Sequence, residues 1–133
     1  MNENKTNINW LRTDSQDPGK KVNKMERVFN KLVRDNIPDI IANNGEEAVT
    51  SVLGDDEYKL ELYKKLLEEA NEVINSKNSD EIIEELADVL EILKSIAELN
   101  GKKIDDVVEV TRQKRLKCGG FEKRIFLEKT YKK

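Results

Sequence analysis

Residues 66–93, LLEEANEVINSKNSDEIIEELADVLEIL, decide the fold of this chain. Apolar residues recur every three or four positions on both sides of the polar NSKNSD, which predicts two amphipathic helices joined by a short turn. Two acidic groups share a spacing across that turn: Glu68-Glu69-x-x-Glu72 before it and Glu85-x-x-Asp88 after it. Residues three apart are neighbours on a helix surface, so two antiparallel helices could converge four oxygen ligands from Glu69, Glu72, Glu85 and Asp88 on one or two cations. The competing reading is ordinary solvated helix surface, which suits a chain with 38% charged residues.

The second helix weighs against that plainer reading. At about 100° per residue, Ile82, Ile83, Leu86, Leu90, Leu93 and Ala97 form one apolar stripe, and Val89, Ile92, Ile96 and Leu99 form another beside it. Such a helix is expected to be largely buried. Glu85 falls inside the second stripe, with no Lys or Arg on that flank of the helix, and Asp88 lies one turn on. A carboxylate set among apolar groups is costly, or stays protonated, unless a cation reaches it. On the preceding helix Tyr58, Leu62, Tyr63, Leu66, Leu67, Ala70, Val73 and Ile74 read as one apolar face, with Glu69 at its edge and Glu68 and Glu72 farther round.

Outward from this pair, the helices are expected at 56–76, 80–100 (capped by Asn78 or Ser79) and 104–117, the last stopped by Gly119-Gly120. A shorter helix follows Asp35 as cap, with Pro38 in its first turn, where a missing N–H costs little, and Gly45 at its end. Residues 46–53, EEAVTSVL, alternate and contain β-branched residues, which predicts a short strand, and 122–131, EKRIFLEKTY, is the obvious partner. Residues 1–24 offer only Ile8, Trp10, Leu11 and Val22 as substantial apolar groups, so they read as a disordered or loosely docked arm before a single domain at 25–133.

Composition narrows the chemistry. The 133 residues contain no histidine and one cysteine, Cys118. That removes imidazole-based nucleophilic catalysis, haem ligation, the usual zinc sites and any internal disulfide. Carboxylates must do the acid–base or metal work, and hard oxygen donors favour Mg²⁺ or Mn²⁺. The net charge of -3 comes from 24 basic and 27 acidic residues, too balanced for a nucleic-acid-binding surface. No apolar run approaches a membrane span and the start lacks a signal-peptide centre, so a cytoplasmic location is expected.

The acidic signature, E-E-x-x-E, twelve residues, then E-x-x-D, resembles that of the MazG-like, all-α nucleoside triphosphate pyrophosphohydrolases. The flanking NKLVRDNIP (30–38) and GGFEKRIFLE (119–128) are similar to a subgroup often described as phosphoribosyl-ATP pyrophosphohydrolase-like. The resemblance covers roughly 25–130 and leaves 1–24 without a counterpart. It implies a mainly α fold, a MazG-like helical bundle, to which the reading above adds a short β element. It also implies that Glu69, Glu72, Glu85 and Asp88 hold Mg²⁺, which bridges the triphosphate oxygens and orients water for attack at the α-phosphorus, releasing nucleoside monophosphate and pyrophosphate. A role in the house-cleaning of nucleotides goes with that activity.

Glu68 is then the candidate to orient or deprotonate the water, since it adjoins the ligands without being needed as one. A triphosphate also wants fixed positive charge, for which Lys31, Arg34, Lys114, Arg115, Lys123 and Arg124 are the candidates, although Gly119 also suits a plain helix C-cap and the lysines and arginines a helix end or surface. The doubled apolar surface of the second helix predicts a homodimer or larger homo-oligomer. Two rivals stand beside this reading: phosphoribosyl-ATP hydrolysis, and a non-enzymatic dimeric interaction module whose acids are surface.

Overall fold

The computed structural model describes residues 25–133. The expected arm at 1–24 lies outside them. Four helices follow in chain order: α1 (Ile37–Asn43), α2 (Asp55–Ile74), α3 (Ser79–Leu99) and α4 (Ile104–Cys118). At 1.5 Å per residue α2 and α3 each run about 30 Å. Four residues connect them, so they fold back antiparallel and pack along their length. α4 follows α3 through a short turn and, among the described helices, packs against α3.

Local signals set most of these boundaries. Asn78 caps α3, its side chain accepting the backbone N–H of Glu81 at 3.0 Å, while Glu81 accepts the N–H of Lys77 at 2.8 Å. That reciprocal pair satisfies donors which a helix start otherwise leaves bare. Pro38 sits in the first turn of α1, as expected, but Asn36 and not Asp35 holds the cap position. α2 begins one residue early, after Gly54, without a side-chain cap. Gly119 ends α4 at φ 84°, donating its N–H to the Arg115 carbonyl.

The β element is not formed. Among the described residues there is no strand, and both alternating segments are irregular. Val49 and Val52 are exposed, as are Ile125, Phe126 and Leu127. A strand is stabilised by a paired edge, and alternation alone supplies none.

The core is small. Ile37, Leu62, Ile92 and Ala97 are its buried apolar residues, with a ring of half-buried neighbours between α2 and α3. Of the two stripes on α3, the one containing Val89, Ile92, Ile96 and Leu99 is buried or half-buried throughout, and Ala97 is the buried member of the other. Ile82, Ile83, Leu86, Leu90 and Leu93 face outward, so α3 is half covered rather than largely buried. No described helix is long and apolar enough to cross a membrane.

Candidate active site

The acidic residues meet where α2 nears its end and α3 begins. Counting at 100° per residue, Glu69 lies about 20° from buried Leu62, and Glu85 about 20° from buried Ile92. Both glutamates therefore project into the seam between the helices, which corrects the expectation that Glu69 sits at the edge of its face. Tyr63, Leu67 and Ile74, assigned to that same face, are exposed instead. Asp88, one turn beyond Glu85, completes the group: oxygens of Glu69, Glu85 and Asp88 all lie within 4.8 Å of one another.

Three carboxylates this close cannot all be charged without cost. Burial, first, then a hydrogen bond shared with Glu85 and the charge of Asp88 raise the pKa of Glu69 from 4.5 to about 7, against a smaller opposing pull from Lys65. Lys65 stands one turn back on α2, 4.0 Å from the Glu69 carboxylate. A half-buried cluster of hard oxygens that holds a proton near neutral pH suits a divalent cation, which would replace the proton and relieve the repulsion.

The segment before α1 supplies the positive charge. Lys31 donates to Glu68 at 2.9 Å, with its side chain only 7% exposed, and Arg34 donates to Asp88 at 2.8 Å. Asn30 enters this stretch at φ 49°, a left-handed conformation that asparagine tolerates better than most residues. The two cations of KLVRD thus reach the two acidic groups across 37 and 54 residues of sequence. Beside Glu68 a pocket of about 270 Å³ is lined by Lys31, Lys64 and Lys65 together with Asn30, Leu32 and Glu61. Lys64 and Lys65 were not among the sequence candidates. Their signal is position, since they precede Glu68 and Glu69 by one helical turn.

Other candidates stay apart from this group. Glu72 is half-buried one turn beyond Glu69 but outside the three mutually close carboxylates. Lys114, Arg115, Lys123 and Arg124 are all exposed. Arg115 pairs with Glu122, and the pair closes over Gly120, where any side chain would strike the Arg115 guanidinium. Cys118 is free and exposed.

With the geometry in place, the comparison with protein families adds one finding: residues 58–117 match the model of the MazG nucleotide pyrophosphohydrolase domain. Over that stretch, somewhat under half of the chain, the sequence is similar to that domain. The matched stretch contains most of α2, all of α3 and nearly all of α4, and so every residue of the acidic group. No curated protein and no solved structure gives a significant match. The match agrees with the all-α architecture of the described residues and supports nucleotide pyrophosphohydrolase activity in general.

Proposed function

We propose that this MazG-like chain is a Mg²⁺-dependent nucleoside triphosphate pyrophosphohydrolase, with Mn²⁺ as an alternative ion, that yields nucleoside monophosphate and pyrophosphate. The observation that carries the reading is the convergence of Glu69, Glu85 and Asp88 from two helices, with Arg34 from a third segment paired to Asp88 and Lys31 of that segment paired to the neighbouring Glu68. Glu69, Glu85 and Asp88 would hold the cation, with Glu72 able to add a fourth carboxylate. When bound, the ion supplies the positive charge that a triphosphate needs to approach four acids.

The chain's own groups account for the rest. Arg34 fixes the Asp88 carboxylate, and a guanidinium at that place can also take a phosphate oxygen. Lys31, Lys64 and Lys65 line the adjoining pocket, where each is paired with a glutamate, Glu68, Glu61 and Glu69 in turn, and would have to exchange that partner for a phosphate oxygen. Glu68, next to the ligands and oriented by Lys31, would accept a proton from the attacking water. The water oxygen bonds to the α-phosphorus as the bond to the oxygen bridging to the β-phosphate breaks, and pyrophosphate leaves with that electron pair. Lys114, Arg115, Lys123 and Arg124 are kept only as candidates for phosphate contact, because among the described residues none of them pairs with Glu69, Glu85 or Asp88. The outward apolar stripe of α3 supports a homo-oligomer.

The test is direct. Purified protein is incubated with canonical nucleoside triphosphates and, separately, phosphoribosyl-ATP, each with Mg²⁺ or with EDTA. Metal-dependent release of monophosphate and pyrophosphate from the triphosphates is expected. Turnover of phosphoribosyl-ATP alone would move the assignment to that substrate, and no turnover of either would sink the enzymatic reading.

A further inference from the structure

The two cations that the segment before α1 brings to the acids are held differently. The Lys31 side chain is only 7% exposed beside Glu68, and pulling it from that partner would leave a buried charge unpaired. Arg34 is 50% exposed at its pair with Asp88, which is itself 35% exposed. The root of Arg34 is nevertheless fixed: its carbonyl accepts the N–H of Ile37 at 3.0 Å, and Ile37 is 2% exposed. A long, exposed side chain on a fixed root changes rotamer readily while the backbone around it stays in place. Lys31 is therefore the anchor of the segment, and Arg34 is the cation free to change partner.

Its present partner is shared with the carboxylate group. Oxygens of Asp88, Glu69 and Glu85 lie within 4.8 Å of one another, and Arg34 donates to Asp88 at 2.8 Å. The guanidinium thus neutralises charge that the same group would offer a divalent cation. Two cations on one carboxylate compete for its charge and repel each other. A triphosphate shifts that balance, because its oxygens suit the planar fork of an arginine, which can take them in a bidentate pair. We propose that Arg34 is an exchange residue: it holds Asp88 while nucleotide is absent, which weakens the carboxylates' hold on Mg²⁺, and passes to a phosphate oxygen when the triphosphate arrives. Metal and nucleotide then bind with positive coupling, each tightening the other by the same factor. The site takes its ion together with the triphosphate rather than ahead of it. The inference deepens the metal-dependent hydrolytic reading and rests on it.

Exchange moves two equilibria in opposite directions. Mg²⁺ binding to the nucleotide-free protein is read by titration calorimetry, and KM is read at saturating Mg²⁺ with the triphosphate that wild type turns over. In Arg34→Met, Mg²⁺ should bind at least about threefold more tightly, the scale of one half-exposed ion pair, while KM rises at least about tenfold. Arg34→Lys keeps the charge without the fork, so its Mg²⁺ affinity should stay near wild type and its KM should fall between the other two. Helicity by circular dichroism should be unchanged in both variants, since the pair lies at the surface. An arginine that only braced the segment would, on removal, weaken Mg²⁺ and triphosphate together. That result, or unchanged Mg²⁺ affinity in Arg34→Met, would overturn the proposal and leave the hydrolytic reading standing. A wild type that neither binds Mg²⁺ nor shows Mg²⁺-dependent turnover would remove the hydrolytic reading, and the proposal with it.

Discussion

Replacing Glu69 by Gln probes the acidic group through stability, without requiring a substrate. The folded chain raises the Glu69 carboxyl from 4.5 to about 7, so between those values it keeps a proton that the unfolded chain gives up. The stabilisation from that proton is fully present below 4.5 and is lost as the pH rises through 7. The full shift corresponds to about 3 kcal/mol, and screening by water brings it to about 2 kcal/mol even though the side chain is only 12% exposed. Gln is neutral at every pH and matches the protonated acid in shape. Without metal, wild type and Glu69→Gln should melt together at pH 4 to 5, and at pH 8 the variant should melt about 5–10 °C higher.

Added Mg²⁺ should reverse the order. At a hundredfold excess over its dissociation constant, a ligand stabilises by about 2.7 kcal/mol, and Glu69→Gln should gain much less than wild type. Binding must displace the proton, so affinity for Mg²⁺ should fall as the pH drops below 7, and calorimetry in buffers of different ionisation enthalpy should detect proton release. Scanning calorimetry in EDTA and in Mg²⁺, from pH 4 to 8, supplies the curves. Parallel pH profiles for the two proteins in EDTA, or equal stabilisation by Mg²⁺, would refute the crowded-carboxylate account.

Glu85→Gln and Asp88→Asn should each lower Mg²⁺-dependent turnover by about 100-fold or more, while Glu84→Gln and Glu91→Gln, on the exposed side of α3, leave it near wild type; equal effects in a steady-state assay would return the acids to mere surface. Lys31→Met should cost about 1–3 kcal/mol in denaturant titration, because its ammonium is buried against Glu68, whereas Arg34→Ala at a half-exposed pair should cost at most about 1 kcal/mol and act mainly on KM. Asn78→Ala removes the cap of α3 and should lower stability by about 1 kcal/mol, with kcat unchanged once the protein is folded.

The sequence by itself determined the helices and the chemistry they could carry. Asn78, Pro38, Gly45 and Gly119 act through bonds and dihedral limits within a few residues, so their effects are written locally. The three-residue spacing of Glu69, Glu72, Glu85 and Asp88 and the lack of histidine are equally local facts, and they pointed to oxygen ligands before any packing was known. The place of Glu69 in the seam was legible too, from its angle to Leu62, but the apolar arc of α2 is wide, and only contact with α3 decided which part of it turned inward. The same holds for the two stripes of α3. Alternation at 46–53 and 122–131 expressed a strand preference that no paired edge fulfilled within one chain. The junction of Lys31 with Glu68 and of Arg34 with Asp88 depended wholly on tertiary structure, because charges so far apart in sequence meet only after α2 and α3 have packed and brought Glu68 and Asp88 within reach of one segment.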